Sequence, residues 1–190
     1  MSEETTAIDY GPLAGLVGSW QGDKGMDIAP EPDGTEKNPY YETITFEAVG
    51  DVTNAEQQEL AVLFYRQRVS RKSTGLVFHD ECGYWMWDAE TETVMHSLTI
   101  PRAVSVLAGG DYPGAKSNDT ITLEVSAKID DPDWQIIQSP FMRDNAKTIE
   151  FQHRIILRGD KLNYFETTIL DIYGKRFEHT DGNELKRADA

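Results

Sequence analysis

The chain has 190 residues, the length of one domain. Its net charge is −15 and it has no basic run, which argues against a nucleic-acid partner. No apolar run approaches the ~20 residues of a membrane helix, and the acidic N-terminus lacks the features of a signal peptide. We therefore expect a cytoplasmic protein without a membrane segment. The single cysteine, Cys82, excludes an internal disulfide framework and a multi-cysteine zinc site.

The first forty residues carry no clear strand pattern. We expect residues 1–10 to be flexible, and the compact apolar stretch 10–17 to form one or two helical turns. Residues 23–39 are rich in Pro, Gly and charge, which predicts a long surface loop. Trp20 lies between these segments and is flanked by Gly18 and Gly22. Because glycine permits close backbone approach and an indole needs a buried place, we expect Trp20 to plug one end of the fold.

Strand signals follow one another through the rest of the chain. In the first of them, Ile44 and Phe46 alternate with polar residues, the period of a half-buried strand. About ten such runs with little helix predict an all-β fold, an up-and-down antiparallel barrel or a sandwich, forming one domain over 11–187. A barrel of about eight or more strands can enclose a small ligand. The predicted strands are 41–49, 60–71, 76–88, 93–100, 103–107, 120–127, 135–142, 147–157, 162–172 and 176–185.

Common active-site patterns are missing from the sequence. The glycines around Trp20 are unevenly spaced and do not follow a strand, so a phosphate-binding loop is not expected. The sequence has no G-x-S-x-G elbow and no His pair at helical metal spacing. Cys82 follows Glu81, and an acidic neighbour disfavours a reactive thiolate. We expect a structural role for this cysteine.

The four histidines are the most informative polar residues, and strand periodicity places them on several barrel walls: His79, His96, His153 and His179. A lone His on an apolar face is usually a core residue, and separated histidines do not by themselves make a zinc site. A single His is enough for haem, which needs one nitrogen and an apolar slot. Lys147 shares the predicted face of Phe151. It either points inward to an anionic group or reaches to water.

Three segments together resemble the nitrobindins, a family of haem-binding β-barrels. The stretch Gly18-Ser19-Trp20-Gln21-Gly22-Asp23-Lys24-Gly25 resembles the family signature G-x-W-x-G-x-G, with its last glycine one position late. Phe78-His79-Asp80-Glu81-Cys82-Gly83-Tyr84 looks like the H-x-E-x-G-[YF] strand. Asn145-Ala146-Lys147 resembles the A-K segment before a strand. His179 falls near the C-terminus, where the family has its haem-ligating His. The likeness covers roughly residues 12–187.

This resemblance implies a calycin-like barrel that binds haem b, with His179 Nε2 on the iron. It places His79 near the other face of the haem and Lys147 at a propionate. The family has a Thr near the haem, for which Thr43 is the nearest equivalent, out of register by one position. Family members with ferric haem bind nitric oxide and isomerise peroxynitrite to nitrate, which implies the same candidate activities here.

Two other functions remain open at this point. One is a metal-free, calycin-type carrier of a small apolar ligand, in which His179 is an ordinary barrel residue and Lys147 meets a ligand carboxylate. The other is an empty barrel that binds a protein partner. A homodimer is a further expectation.

Overall fold

A computed structural model describes residues 8–114 and 120–188 of the chain. Residues 1–7 of the predicted flexible segment lie outside these ranges. A short 3-10 helix, Gly11–Leu16, matches the predicted helical turns and leads directly into the first strand. The strands are β1 Gly18–Glu31, β2 Gly34–Asn54, β3 Gln58–Arg71, β4 Val77–Asp88, β5 Thr93–Ile100, β6 Val104–Asp111, β7 Ile121–Lys128, β8 Ile136–Gln138, β9 Ala146–Arg158, β10 Lys161–Ile172 and β11 Lys175–Arg187; helix α1 is Pro140–Asn145.

Ten of these strands close into an antiparallel barrel. The order around the sheet is β5-β4-β3-β2-β1-β11-β10-β9-β7-β6, and the pairing of β5 with β6 closes the ring. The short strand β8 pairs with β6 outside this ring order. Closure removes the edges that an open sheet would expose. The predicted all-β barrel is therefore confirmed, and the sandwich alternative is wrong.

The predicted loop over 23–39 is wrong, because this segment forms a hairpin. Strand β1 pairs with β2 from Gly18 and Phe46 as far as Glu31 and Gly34. The Pro and Gly content suggested a loop, but Pro30 lies near the end of its strand, where a missing N–H costs little. The hairpin extends the wall made by β1 and β2 beyond the predicted start of β2 at residue 41.

The predicted strand 135–142 is also corrected. Strand β8 ends at Gln138, and a turn of helix α1 follows it. Ser139 caps this helix, because its hydroxyl accepts a hydrogen bond from the Met142 N–H over 3.3 Å. Pro140 stands in the first helical turn, where it needs no N–H partner. The apolar residues around the cap had resembled a continuous strand.

One end of the barrel is closed by the 3-10 helix and Trp20. Leu13, Leu16 and Trp20 are fully buried, and the indole Nε1 donates to the Leu16 carbonyl over 2.7 Å. Gly11 has φ +49°, and a Cβ there would lie 2.4 Å from the indole nitrogen of Trp87. Glycine therefore permits the helix to pack against β4. The predicted burial of Trp20 is confirmed.

The guanidinium of Arg187 packs against the outside of this closed end. It lies 4.3 Å from the centre of the Trp20 ring and donates to the carbonyls of Gly15 and Val17. These bonds tie the start of the chain to the end of β11. No helix in the described ranges is long and apolar enough to cross a membrane.

Candidate functional site

The inward-facing side chains divide the barrel interior into two walls. In the ten-stranded ring, β6 and β7 lie across from β1 and β2. The wall made by β5, β6 and β7 carries mostly buried aliphatic residues: Val94, Leu98, Val104, Val106, Ala108, Leu123, Val125 and Ala127. The opposite wall, on β1, β2 and β11, carries buried or half-buried polar residues: Asp27, Asn38, Glu42, His179, Asp181 and Asn183.

His179 lies toward the end of the barrel away from Trp20, which we call the mouth. It is eight residues along β11 from Arg187, the partner of Trp20, or about 26 Å at the ~3.3 Å rise of a strand. Its Nε2 lies 2.7 Å from Asp27 Oδ1, and its side chain is 28% exposed. Burial alone lowers the pKa of His179, but the hydrogen bond and charge of Asp27 raise it above its ordinary value. The imidazole is therefore held by a carboxylate from the neighbouring strand.

A bulge in β1 brings Asp27 to this position. The pairing of β1 with β2 shifts between Gly22 and Gly25. Trp20 is buried on an even position of β1, whereas Gly25 and Asp27 are buried on odd positions. The extra residue before Gly25, seen as the late glycine of the signature, changes which face of the strand points inward. A Cβ on Gly25 would also lie 2.0 Å from the Tyr40 ring, so glycine is needed for this packing.

His79 forms a second imidazole–carboxylate pair at the mouth. Its Nε2 lies 3.4 Å from Glu81 Oε2, and the Tyr65 hydroxyl donates to Glu81 Oε1 over 2.5 Å. Burial lowers the pKa of His79, but the Glu81 carboxylate outweighs it and raises the pKa to about 9. His79 is therefore protonated at neutral pH, and its charge neutralises a buried carboxylate.

Glu166 on β10 forms a third imidazole–carboxylate pair, with His153. Its Oε2 lies 3.2 Å from His153 Nδ1. Burial raises the pKa of Glu166, but the hydrogen bond to His153 and the charges of His79 and His179 lower it below its ordinary value. Glu166 therefore contacts one imidazole directly, and the charges of two more favour its ionised form. Even so, among residues 8–114 and 120–188, no three His, Cys, Asp or Glu side chains are placed to share a metal ion.

His96 is the polar exception on the apolar wall. Its side chain is fully buried, and neither ring nitrogen has a hydrogen-bond partner. The ring stacks on Trp85 with centroids 4.1 Å apart. Burial holds the pKa of His96 well below its ordinary value, with a smaller effect from His153. This imidazole is therefore neutral and packs as an aromatic residue in the middle of the barrel.

Glu42 is the centre of a buried hydrogen-bond network below the mouth. Its carboxyl oxygens accept from Gln67 Nε2 over 2.6 Å and from Asn183 Nδ2 over 2.7 Å. The Tyr164 hydroxyl lies 3.0 Å from Oε1. Tyr164 also contacts the Tyr40 hydroxyl, at 2.8 Å. Burial raises the pKa of Glu42 to about 8, although its amide and phenol partners oppose this effect.

The structure brings together only two of the four predicted site residues. His79 and His179 both lie at the mouth, where the charges of Glu166 and Asp181 raise the pKa of each imidazole after the larger effects of its own carboxylate partner. Thr43 is exposed on the outer face of β2, between the buried residues Glu42 and Ile44. In β9, a bulge opposite Ile169 and Leu170 puts Thr148, not Lys147, in line with the buried positions. Lys147 instead pairs across the sheet with Asp171.

Sequence reasoning missed the carboxylates of the site. Glu42 could have been found, because it alternates correctly with Ile44 and Phe46 whereas Thr43 does not. In the same way, Asp181 lies two positions from His179 on the same side of β11. Asp27 had no such signal, since its place depends on the bulge in β1. Because residues 23–39 were predicted to be a surface loop, Asp27 was not considered as an inward-facing residue.

The residue types on the two walls suit a haem site. Haem needs one imidazole nitrogen and apolar surroundings, and His179 on β11 lies across the ring from the aliphatic residues of β5 and β6. The expected iron ligand, His179 Nε2, is bonded to Asp27, so the nitrogen left for a metal is Nδ1. A metal-bound imidazole usually has its second nitrogen on a carboxylate, and Asp27 fills that role for Nε2. The carboxylates Asp27, Glu81 and Glu166 each contact an imidazole, so their negative charge is partly neutralised. The residues present therefore fit the group.

A closed barrel with an apolar wall facing an imidazole-bearing wall is a small-ligand-binding barrel. The chain belongs to the family described as the THAP4-like, heme-binding beta-barrel domain, whose model matches residues 9–187. The resemblance to the nitrobindins is thereby confirmed. No curated protein sequence is significantly similar to the chain.

Among solved structures, the chain is similar to one described as the crystal structure of Rv2717c from M. tuberculosis. The TM-score is 0.70 at 22% sequence identity, and the match covers 95% of this chain and 100% of that chain. At this identity the similarity shows the fold, and the site has to be argued from the residues of this chain.

Proposed function

We propose that the mouth of the barrel binds haem b and that His179 supplies the nitrogen to its iron. The observation that carries this proposal is the His179–Asp27 pair, which presents an oriented imidazole opposite an aliphatic wall. Family membership supports haem as the ligand class. When bound, ferric or ferrous haem supplies an open coordination position for a small molecule such as nitric oxide or peroxynitrite.

The residues of the chain orient and enclose the ligand. Asp27 fixes the His179 ring, and Leu98, Val106 and Ala127 offer apolar surface that excludes water. His79, held by Glu81, places a positive charge at the mouth, where an anionic substrate or a propionate could contact it. Isomerisation of peroxynitrite to nitrate and nitric oxide binding are the activities we propose for this site.

A hemin titration followed by absorbance tests the proposal. The wild-type protein should give a sharp Soret band, and His179→Ala should shift the band and weaken hemin affinity at least tenfold. His79→Ala is the matched control, because it removes another mouth imidazole that is paired with a carboxylate; this variant should keep the wild-type Soret position. Equal losses in both variants would contradict ligation by His179.

A metal-free carrier of a small apolar ligand is the second candidate. It is favoured by one observation, the wall of buried aliphatic residues on β5, β6 and β7, which would suit an apolar ligand without a metal. For this function, hemin titration would be flat or insensitive to His179→Ala, and an apolar fluorescent probe would bind the wild-type protein and the variant equally. The homodimer and the cytoplasmic location stay predictions, which sedimentation and cell fractionation would test.

A further inference from the structure

Four polar groups form an unbroken chain from the barrel centre to the mouth. Tyr164 lies 3.0 Å from Glu42 Oε1, and the hydroxyls of Tyr164 and Tyr40 are 2.8 Å apart. Tyr40 in turn lies 2.5 Å from Asp181 Oδ1. Glu42 and Tyr40 are buried on β2, Tyr164 is buried on β10 and Asp181 is on β11. The three oxygen–oxygen contacts therefore join three strands of the wall.

Counting hydrogens shows that the hydrogen-bonded series Glu42–Tyr164–Tyr40–Asp181 holds one proton more than its two tyrosines provide. Each of the three contacts needs one hydrogen, and the two phenols supply only two. If both carboxyl groups were ionised, one oxygen–oxygen contact would have lone pairs on both sides, which is costly in a buried site. One carboxyl group must therefore carry the third hydrogen.

The extra proton belongs on Glu42. Asp181 Oδ1 is the acceptor end of the chain, because it also accepts the Gly182 N–H over 2.7 Å. Glu42 is only 3% exposed, and burial penalises the charged form of a carboxyl group. The titratable and polar groups that face Glu42 come from β2, β3, β10 and β11, and none is a cation: Tyr40, Gln67, Tyr164, Asp181 and Asn183.

We propose that Glu42 stores a proton in the barrel wall and that Tyr164 and Tyr40 relay it to the mouth. In one transfer Glu42 gives its proton to Tyr164, Tyr164 gives its own to Tyr40, and Tyr40 gives its own to the Asp181 carboxylate. Both phenols are regenerated, Glu42 becomes a carboxylate and no oxidant or reductant is involved. A ligand at the mouth thereby gains access to a proton without admitting water to the interior. The relay does not require haem; only its use by a ligand rests on the proposed function.

Carbon-13 NMR of the ligand-free protein, labelled at the glutamate carboxyl carbons, tests the relay. The Glu42 signal is assigned by its loss in Glu42→Gln and its retention in Glu47→Gln, an exposed control on the same strand. We expect the wild-type signal to titrate near pH 8. Free glutamate titrates near pH 4.3.

The decisive variant is Tyr40→Phe, which removes a hydroxyl that does not touch Glu42. Without the Tyr40 hydroxyl, Tyr164 no longer donates to Tyr40 and can donate to Glu42 instead. Glu42 then needs no proton of its own to complete the contact. The Glu42 midpoint should fall by at least one pH unit, a tenfold change, while the exposed control Tyr84→Phe leaves it unchanged. Burial alone would keep the midpoint high in Tyr40→Phe, and that result would overturn the relay.

An infrared measurement needs no substitution. The wild-type protein at pH 7 should show the carbonyl stretch of a protonated carboxylic acid, which ionised carboxylates lack. Its absence, or a Glu42 midpoint in the ordinary glutamate range, would overturn the stored proton. Because both measurements use ligand-free protein, a failure here is separate from a failure of hemin binding.

Discussion

The closed end and the mouth of the barrel are built from the same strands but differ in what they bury. At the closed end, Trp20, Leu13 and Leu16 are fully buried, and the one polar atom of the Trp20 side chain is satisfied by a backbone carbonyl. At the mouth, imidazoles and carboxylates lie in partly buried pairs. Burying apolar surface stabilises a fold, whereas burying charges costs free energy unless they are paired. The closed end therefore stabilises the barrel. The polar groups at the mouth cost free energy on burial, so a contribution to stability does not explain their presence.

The sharpest way to break the closed end is Trp20→Ala. Because the indole is fully buried, this substitution should lower the free energy of unfolding by about 3–5 kcal/mol, measured by denaturant melts. Phe165→Ala is the matched control on β10, since that ring is 55% exposed and should cost less than about 1 kcal/mol. A loss below about 1 kcal/mol for Trp20→Ala would reject the plug.

The pH dependence of the free energy of unfolding tests the His79–Glu81 pair at the mouth. The pKa of His79 is raised to about 9, whereas an unfolded histidine titrates near its ordinary value of 6.5. A group with a raised folded-state pKa contributes stability that is complete below the unfolded pKa and is lost as pH rises through the folded pKa. We therefore expect wild-type stability to fall relative to His79→Gln between about pH 6.5 and 9, by about 2 kcal/mol after allowing for solvent screening.

Proton NMR of the His79 ring gives an independent measurement of the same effect. The ring signal should titrate near pH 9 and should move toward the ordinary histidine range in Glu81→Gln. If the wild-type midpoint lies below 7, the Glu81 carboxylate does not hold the charge, and the imidazole–carboxylate pairing at this position is wrong.

The fold was readily predicted from the sequence, because alternation of apolar and polar residues is a local signal. Strand β5 was predicted with its observed bounds, and β9, β10 and β11 to within a few residues. The errors fell where turn-forming residues override that signal. Pro and Gly concealed the hairpin of β1 and β2, and a capping Ser followed by Pro turned the end of a predicted strand into α1.

The site was predicted less well, because its geometry depends on bulges and on long-range pairing. A single extra residue in β1 determines that Asp27 points inward, and another bulge in β9 takes Lys147 out of line with the buried positions. Neither bulge can be read from alternation alone. The partners of His79 and His179 come from different distances along the chain: Glu81 from the same strand and Asp27 from the opposite end of the sequence.

The smallest predicted effect concerns Thr43, which lies on the face of β2 opposite to Glu42. Thr43 is exposed on the outside of β2, whereas Glu42 beside it is buried and makes hydrogen bonds to three side chains. Thr43→Val should change the free energy of unfolding by less than about 0.5 kcal/mol, as is usual for a surface substitution, and should leave hemin affinity unchanged. Denaturant melts and hemin titration measure both. A tenfold loss of hemin affinity in Thr43→Val would mean that the residue facing the ligand is Thr43, and that the inward face of β2 is one position out of register with the structure described above.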